Sequence, residues 1–391
     1  MLFQLSHKIE LNPNNIQEGY FKRACGTARF TYNWALGEWN RQYQEGLKPS
    51  ALALKKEFNA IKYEEFPWIS EVLRDANSQP FTNLGKAFVR FFEGTGKYPV
   101  FKKRGIHDSF YIANDKFRLD GNKIKVPKLG WIRMREQLRF TGKILSATVS
   151  RIADKWFVAI NVQTDLTSAT INSHVVVGVD LGVKQLATLS DGTVVEGPKP
   201  HKALLQRLRR LNKSLSRKEK GSNNWKKGKL KLSRLHARIA NIRKDALHKL
   251  TTMLVQNFSI IGIEDLNVNG MTKNHKLARS ILDMGFGEFV RQLSYKAKMF
   301  AVEIVQADRF FPSSKTCCRC GFKKDNLTLS DRVFGCDNCG LKIDRDLNAA
   351  INLEKLAVGS TVTACGEAVR PKQLVRAASV KQEFPFIPAN G

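Results

Sequence analysis

The sequence predicts a multidomain protein of α/β and β class: a small antiparallel β-barrel or sandwich carrying a helical insert, followed by an α/β domain. Three observations predict it. Short alternating apolar runs recur between 109 and 165. Aromatic and aliphatic residues recur at helical spacing between 16 and 94. Two solid β-branched runs, 175–179 and 259–263, each lead into an acidic residue and are separated by a long helical stretch. At 391 residues the chain exceeds one compact core, so two or three domains are expected.

Taken in order, Phe3, Leu5, His7, Ile9 and Leu11 alternate as a first strand over 1–12, and Asn12-Pro13-Asn14 forms a turn. Tyr20, Ala24, Ala28, Tyr32, Leu36 and Trp39 then define a helix over about 16–43. Helices over 50–63 and 70–94 complete a helical module at 13–94, and the basic segment 96–105 crosses to the strands that follow. The aromatics Phe30, Tyr32, Trp34 and Trp39 read as helix core rather than stacking platforms. Strands are expected at 110–112, 123–126, 131–134, 144–151 and 156–163, with turns at Asp120-Gly121-Asn122 and Gly142. After 175 come strands at 175–179, 185–190 and 193–196, a helical stretch at 199–249 broken at Gly221-Ser222-Asn223-Asn224, and a strand at 259–263. Phe286, Phe289, Val290, Leu293, Ala297 and Phe300 share one helix face. A strand at 302–306, a cysteine-bearing insert at 313–343 and a helix at 347–356 follow; 358–391 lacks any period and reads as disordered.

Subtracting 35 acidic from 65 basic residues leaves +30, with a pI near 10. Self-repulsion on that scale calls for a polyanionic partner, most commonly nucleic acid. Charge alone suits a ribosomal or histone-like protein equally well. The opening Met1-Leu2-Phe3-Gln4-Leu5-Ser6-His7-Lys8 lacks a signal-peptide pattern, and the apolar runs fall short of a membrane span. A cytosolic protein with reduced cysteines is expected.

Three segments place acids where an RNase H-like fold needs them. Gly178-Val179-Asp180-Leu181-Gly182 ends one strand, Gly262-Ile263-Glu264-Asp265-Leu266 ends a later one, and Asp344-Arg345-Asp346-Leu347-Asn348-Ala349-Ala350 opens a helix. One such acid taken alone is usually a turn or cap residue. Three on a strand, strand, helix framework suggest a site for two Mg²⁺ ions, hard cations that favour carboxylate oxygens. Asp180 and Glu264 rank first. Asp346 ranks above Asp344 because it directly precedes the helix start, and Asp265 is expected to point away.

Cys317-Cys318-Arg319-Cys320 and Cys336-Asp337-Asn338-Cys339 give two C-x2-C pairs fifteen residues apart, the spacing of a four-thiolate structural zinc site. Gly321 and Gly340 follow each pair, where a tight turn benefits from positive φ. Cys318 could replace Cys317; Cys25 and Cys365 read as unpaired thiols. Between 199 and 249 stand 18 Lys/Arg against Glu219 and Asp245, a local +16. Leu204, Leu208, Leu211 and Leu215 form one apolar stripe, and Leu230, Leu235, Ile239, Ile242 and Leu250 another. Two helices packed through these stripes would present Arg207, Arg210, Arg217, Lys218, Lys226, Lys227 and Arg234 to a phosphate backbone. Lys102, Lys103 and Arg104 carry the same reading more weakly.

These residues together resemble TnpB, the insertion-sequence-encoded relatives of type V CRISPR nucleases. The resemblance rests on Arg29-Phe30-Thr31-Tyr32-Asn33-Trp34-Ala35-Leu36, Pro99-Val100-Phe101-Lys102, Phe311-Pro312-Ser313-Ser314-Lys315-Thr316-Cys317, the cysteine pairs and the three acidic segments. It implies a wedge β-barrel (1–12 and 105–172), a helical recognition domain (13–104) and a RuvC nuclease domain (173–312 and 343–357, with the basic hairpin at 199–250) interrupted by a zinc ribbon (313–342). It implies an omega guide RNA, double-stranded target DNA beside a transposon-adjacent motif, two Mg²⁺ on Asp180, Glu264 and Asp346, and one structural Zn²⁺ on Cys317, Cys320, Cys336 and Cys339. By position, Gln79, Asn83 and Tyr111 would contact the adjacent motif and Arg332 the scissile phosphate. Cys318 departs from the usual serine without disturbing the spacing. Two rivals stand beside this reading, an RNA-guided repressor that does not cut and a transposase acting directly on DNA ends. The intact acids favour a nuclease over the first, and the zinc insert and preceding barrel favour guided cleavage over the second.

Overall fold

Alternation puts Leu5, His7, Ile9 and Leu11 of β1 (Leu2–Asn12) on one buried face. The computed structural model describes residues 2–165, 175–328 and 331–362, which divide into two units, Leu2–Asp165 and the described residues after it. Helix α1 (Asn15–Gln44) starts at a capping box: Asn14 Oδ1 accepts from the Gln17 N–H at 2.9 Å and Gln17 Oε1 from the Asn14 N–H at 3.0 Å. Ser50 caps α2 (Ala51–Glu65). A 3₁₀ turn at Pro67–Glu71 precedes α3 (Asp75–Phe92). This helix starts later than its periodicity implies, because Val72 is extended and the Leu73 N–H donates to Tyr20 Oη at 2.9 Å.

Strands β2 (Ser109–Ala113), β3 (Arg118–Asp120), β4 (Lys123–Val126), β5 (Gly130–Met134), β6 (Lys143–Ile152) and β7 (Lys155–Asp165) join β1 in a seven-stranded antiparallel sheet ordered β2-β6-β7-β1-β5-β4-β3. The short β3 is absent from the periodicity reading. The expected closed barrel does not form: among the described residues, the edges β2 and β3 do not pair. Tyr20, Phe21 and Ala24 of α1 pack against Ile9, Ile112, Val158 and Trp156, so a helix covers the apolar face that closure would otherwise bury. Farther along α1, Tyr32, Ala35 and Leu36 share a second core with Leu54, Phe58, Phe81, Leu84 and Phe88. Phe30, Trp34 and Trp39 pack onto it, Trp39 stacking on Phe88 at 3.9 Å.

The second unit opens with β8 (Val176–Asp180), β9 (Ala187–Leu189) and β10 (Val194–Val195), then the basic helices α4 (Pro200–Ser216) and α5 (Asn223–Asn257). Next come β11 (Ile260–Ile263), α6 (Val268–Met271), α7 (Ala278–Met284), α8 (Phe286–Phe300), β12 (Glu303–Gln306), the ribbon β13 (Val333–Gly335) and β14 (Lys342–Asp344), and α9 (Arg345–Val362). The five-stranded sheet runs β10-β9-β8-β11-β12, with β8, β11 and β12 parallel and β9 antiparallel to β8. Helix α9 extends to Val362, so 358–362 are helical rather than disordered; residues 363–391, with the rest of that expected tail and Cys365, lie outside the described residues.

The two faces of this sheet differ in kind. Val177, Val179, Ile261 and Ile263 point into a core with Leu250 and Leu254 of α5 and Phe289 and Leu293 of α8. Leu250 therefore serves this core rather than the hairpin stripe. The opposite face carries Gly178 and Gly262, which are cross-strand partners. There α9 lies so close that a Cβ at Gly178 would overlap the Ala350 carbonyl oxygen and one at Gly262 that of Leu353. Gly178→Ala should therefore cost about 3 kcal/mol or more in denaturant unfolding, since backbone must move. Gly37→Ala, at a helical position with open space around its Cβ, should stay within about 1 kcal/mol of wild type.

Between α5 and α8, the Lys296 amine is 1% exposed and donates to His248 O at 2.8 Å, Thr251 Oγ1 at 2.8 Å and Thr252 Oγ1 at 2.7 Å. Burial lowers its pKa to about 7, from 10.5. Between those values the unfolded chain holds a proton that the folded chain has released, so stability rises with pH. The contribution is complete above the unfolded value and lost as pH falls through about 7. Urea unfolding from pH 7 to 10 should show this rise, at most about 1.4 kcal/mol per pH unit, and Lys296→Met should remove it.

Candidate active site and metal centre

Side-chain alternation puts Asp180 on the same face of β8 as Gly178, and Glu264, just past β11, on the same face as Gly262. That is the face on which α9 lies. The sheet and helix bring Asp180, Glu264 and Asp346 together: burial first, then the charges of Glu264 and Asp346, push the Asp180 carboxyl well above the usual carboxylate range. Asp344 adds a smaller push in the same direction and Arg345 opposes it.

The helix begins at Arg345, two residues earlier than the start at 347 that ranked Asp346 above Asp344. Asp344 is its capping side chain, accepting from the Asp346 N–H at 2.9 Å and the Leu347 N–H at 3.1 Å. Asp344 is exposed and committed to the cap, whereas Asp346 is half-buried in the first turn. Asp265 accepts from Arg309 at 2.9 Å. Arg345 anchors the helix start, donating to Thr328 O at 3.0 Å and Asp331 O at 3.2 Å.

A desolvated carboxylate beside two further acids is unfavourable by itself. A hard divalent cation relieves that repulsion and takes oxygen donors, so the donor set fits Mg²⁺.

The ligand atoms of Cys317, Cys320, Cys336 and Cys339 lie within 4.8 Å of one another. The Cys317–Cys339 and Cys320–Cys336 sulfurs stand 3.6 and 3.5 Å apart. Tetrahedral Zn–S bonds of about 2.3 Å require sulfurs about 3.8 Å apart, so the set fits zinc with little adjustment. Each pair closes as a tight loop. The Cys317 N–H donates to Phe322 O and the Cys336 N–H to Leu341 O, and Gly321 and Gly340 adopt φ of +77° and +70°. Cys318 stands outside this group; its N–H donates to Asn348 Oδ1 at 2.9 Å. Cys25 is buried, and its thiol is pushed up to about 12 by that burial.

Helices α4 and α5 pack through Leu204, Leu208 and Leu211 against Leu232, Leu235 and Ile239. Arg207, Arg210, Arg217, Lys226, Lys227 and Arg234 are exposed, and Lys218 is half-buried. Asp283 of α7 fixes the start of α4, accepting from the His201 and Lys202 N–H groups at 3.0 Å each. In the first unit, Lys103 and Arg104 are exposed, while the Lys102 ammonium sits 3.9 Å from the Tyr32 ring centroid and desolvation there lowers its pKa. Gln79 and Asn83 stand one turn apart on α3, and Tyr111 lies on the edge strand β2. Arg332 is exposed, and its carbonyl accepts from the Arg345 N–H at 2.8 Å.

Four residues that matter to the site escape the sequence reading. Gly178 and Gly262 each stand two positions before an acid, a recurrence visible in the sequence. Asn348 and Asn352 are buried polar residues at i, i+4 beside Ala349, Ala350 and Leu353. Such a pair on a core-facing helix signals a loop held by side-chain hydrogen bonds.

Three family models match: "Probable transposase" of the OrfB IS605 type over 157–275, the Cas12f1-like TNB domain over 286–353, and a helix-turn-helix domain over 1–48, where the structure has β1 and α1. The chain is 37% identical to "Putative RNA-guided DNA endonuclease InsQ" of Escherichia coli (strain K12), covering 93% of this chain and 94% of that protein. It is 36% identical to "Putative RNA-guided DNA endonuclease" of Streptomyces pristinaespiralis, over 96% and 95%. Among solved structures, the Cas12f1–sgRNA–target DNA complex matches with a TM-score of 0.59 at 15% identity, over 86% of this chain and 83% of that one, which is a likeness of fold. By these matches, over nearly its whole length, the chain belongs to the TnpB family, the OrfB proteins of IS605-type transposons.

Proposed function

We propose that the protein is a metal-dependent, RNA-guided DNA endonuclease. In this reading a transposon-end omega RNA pairs with target DNA beside a short adjacent motif, and a RuvC-type, RNase H-like site hydrolyses the phosphodiester. The observation that carries it is that the charges of Glu264 and Asp346 act on Asp180, which stands on the sheet face that α9 covers. The full-length similarity to proteins bearing that activity in their names supports it.

Asp180, Glu264 and Asp346 would hold two Mg²⁺. Bound there, divalent cations supply activation of the attacking water and stabilisation of the leaving oxygen. The chain's own residues prepare the site. Parallel strands fix the first two carboxylates in register, the Asp344 cap frees Asp346, and the α9 N-terminus favours phosphate nearby. The exposed cations of α4 and α5 bind RNA or DNA backbone without reading sequence, which base pairing supplies. Lys103, Arg104, Gln79, Asn83 and Tyr111 are assigned to nucleic-acid contact beside the adjacent motif, with Lys102 partly committed to Tyr32. The wedge, recognition, nuclease and zinc-ribbon boundaries given above are adopted in the same reading, the first two sharing one unit.

The test is cleavage of matched DNA by the purified protein–guide complex in Mg²⁺. Asp180→Asn should slow cutting by about 10³-fold or more while guided binding persists, since several kcal/mol of transition-state stabilisation depend on the cations. Cutting by that variant at the wild-type rate would overturn the assignment. Elemental analysis should find about one zinc per chain, and Cys336→Ser should lose it along with thermal stability. A wild-type protein without zinc would refute the thiolate site.

A further inference from the structure

We propose that Ser313 is a positioning residue for Glu264, and that it links the cysteine cluster and the carboxylate cluster in one hydrogen-bonded frame. The proposal rests on the endonuclease reading above and adds to it.

The frame is built from α9. Asn352 Nδ2 donates to the carbonyl oxygens of Ser313 and Thr316, at 2.7 Å each. One turn earlier, Asn348 Nδ2 donates to Thr316 O at 2.8 Å, and Asn348 Oδ1 accepts from the Cys318 N–H at 2.9 Å. Both asparagines are buried, so leaving their amides unpaired would be costly and the loop geometry is tightly specified. Thr316 tightens the same turn, donating through its N–H at 3.0 Å and its hydroxyl at 2.9 Å to Pro312 O. Residues 313–318, which include Cys317 of the cysteine cluster, are thereby held against α9.

Ser313 sits at the other end of that loop. It is 3% exposed, and its hydroxyl donates to Glu264 Oε1. A serine hydroxyl carries one proton, so this bond takes one acceptor position of the carboxylate and leaves the others for a cation. It also holds the long glutamate side chain in one rotamer. Asp346 lies on the same helix, two residues before Asn348. One element thus sets both an acid of the cluster and the hydroxyl that orients another. Hydrogen-bond partners of metal-ligating carboxylates typically change metal affinity by about 10–100-fold.

The experiment compares Ser313→Thr with Ser313→Val, two β-branched side chains of nearly equal shape that differ in the hydroxyl, in the full chain with its guide RNA. Mn²⁺ binding is measured by calorimetry without DNA, zinc content by elemental analysis, and the Mg²⁺ dependence of cleavage alongside. Ser313→Thr should bind Mn²⁺ within about threefold of wild type. Ser313→Val should bind about tenfold more weakly and need correspondingly more Mg²⁺, with cutting largely restored at saturating Mg²⁺ and zinc retained. Equal Mn²⁺ affinity in the two variants would overturn the role of the hydroxyl while leaving the nuclease reading intact. Wild-type protein that binds Mn²⁺ no better than Asp180→Asn would overturn the metal site itself, and this proposal with it.

Discussion

Helix α9 lies against the sheet at a distance that no side chain could occupy. Gly178 and Gly262 face each other across β8 and β11, and both point at the helix backbone. Because strand residues two apart share a face, the next outward positions are those of Asp180 and Glu264, at the edge of the helix footprint. The helix meets them with its first turn, which carries Asp346. Close helix–sheet contact at two glycines is therefore the constraint on which the carboxylate cluster depends. A bulkier residue at either position would lift α9 and separate the acids.

The same helix organises the neighbouring cysteine centre. Its polar residues Asn348 and Asn352 face the loop that enters the cysteine cluster, and Arg345 ties its first turn to the carbonyls of Thr328 and Asp331. On the other side of the sheet, α5 has two duties. Its C-terminal half fills the core beneath β8 and β11, and its N-terminal half packs on α4 to carry a dense cationic surface. The charge that would engage a polyanion is thus mounted on an element rooted in the core of the proposed catalytic domain. In a chain of net charge +30, such rooting keeps mutually repelling helices in place before nucleic acid neutralises them.

Much of this was legible in the sequence, for identifiable reasons. The helix at 286–300 and the strand at 123–126 are bounded as their periodicity implies, because each buries one face against a single core. Cysteine spacing located the thiolate cluster, since two-residue gaps and a following glycine constrain backbone geometry directly. The strand-ending acids were visible as a pattern that suggests one site, but the close approach of α9 to the sheet at Gly178 and Gly262 was not, because it is a matter of packing between distant segments. Barrel closure was misjudged because strand periodicity reports which face is buried and not what buries it; α1 does so here. The start of α9 was misplaced by two residues because Asp344 and Asp346 are equally good caps in the sequence, and only hydrogen bonding separates them. Ser313 was invisible because its role comes from a partner 49 residues away in the chain.

The most direct measurement of the central claim is anomalous diffraction from crystals of the guide-bound protein soaked in Mn²⁺. The account predicts anomalous peaks between the side chains of Asp180, Glu264 and Asp346, beneath the first turn of α9. Ordered density for those three carboxylates with no peak among them, at Mn²⁺ concentrations that support cleavage, would contradict it.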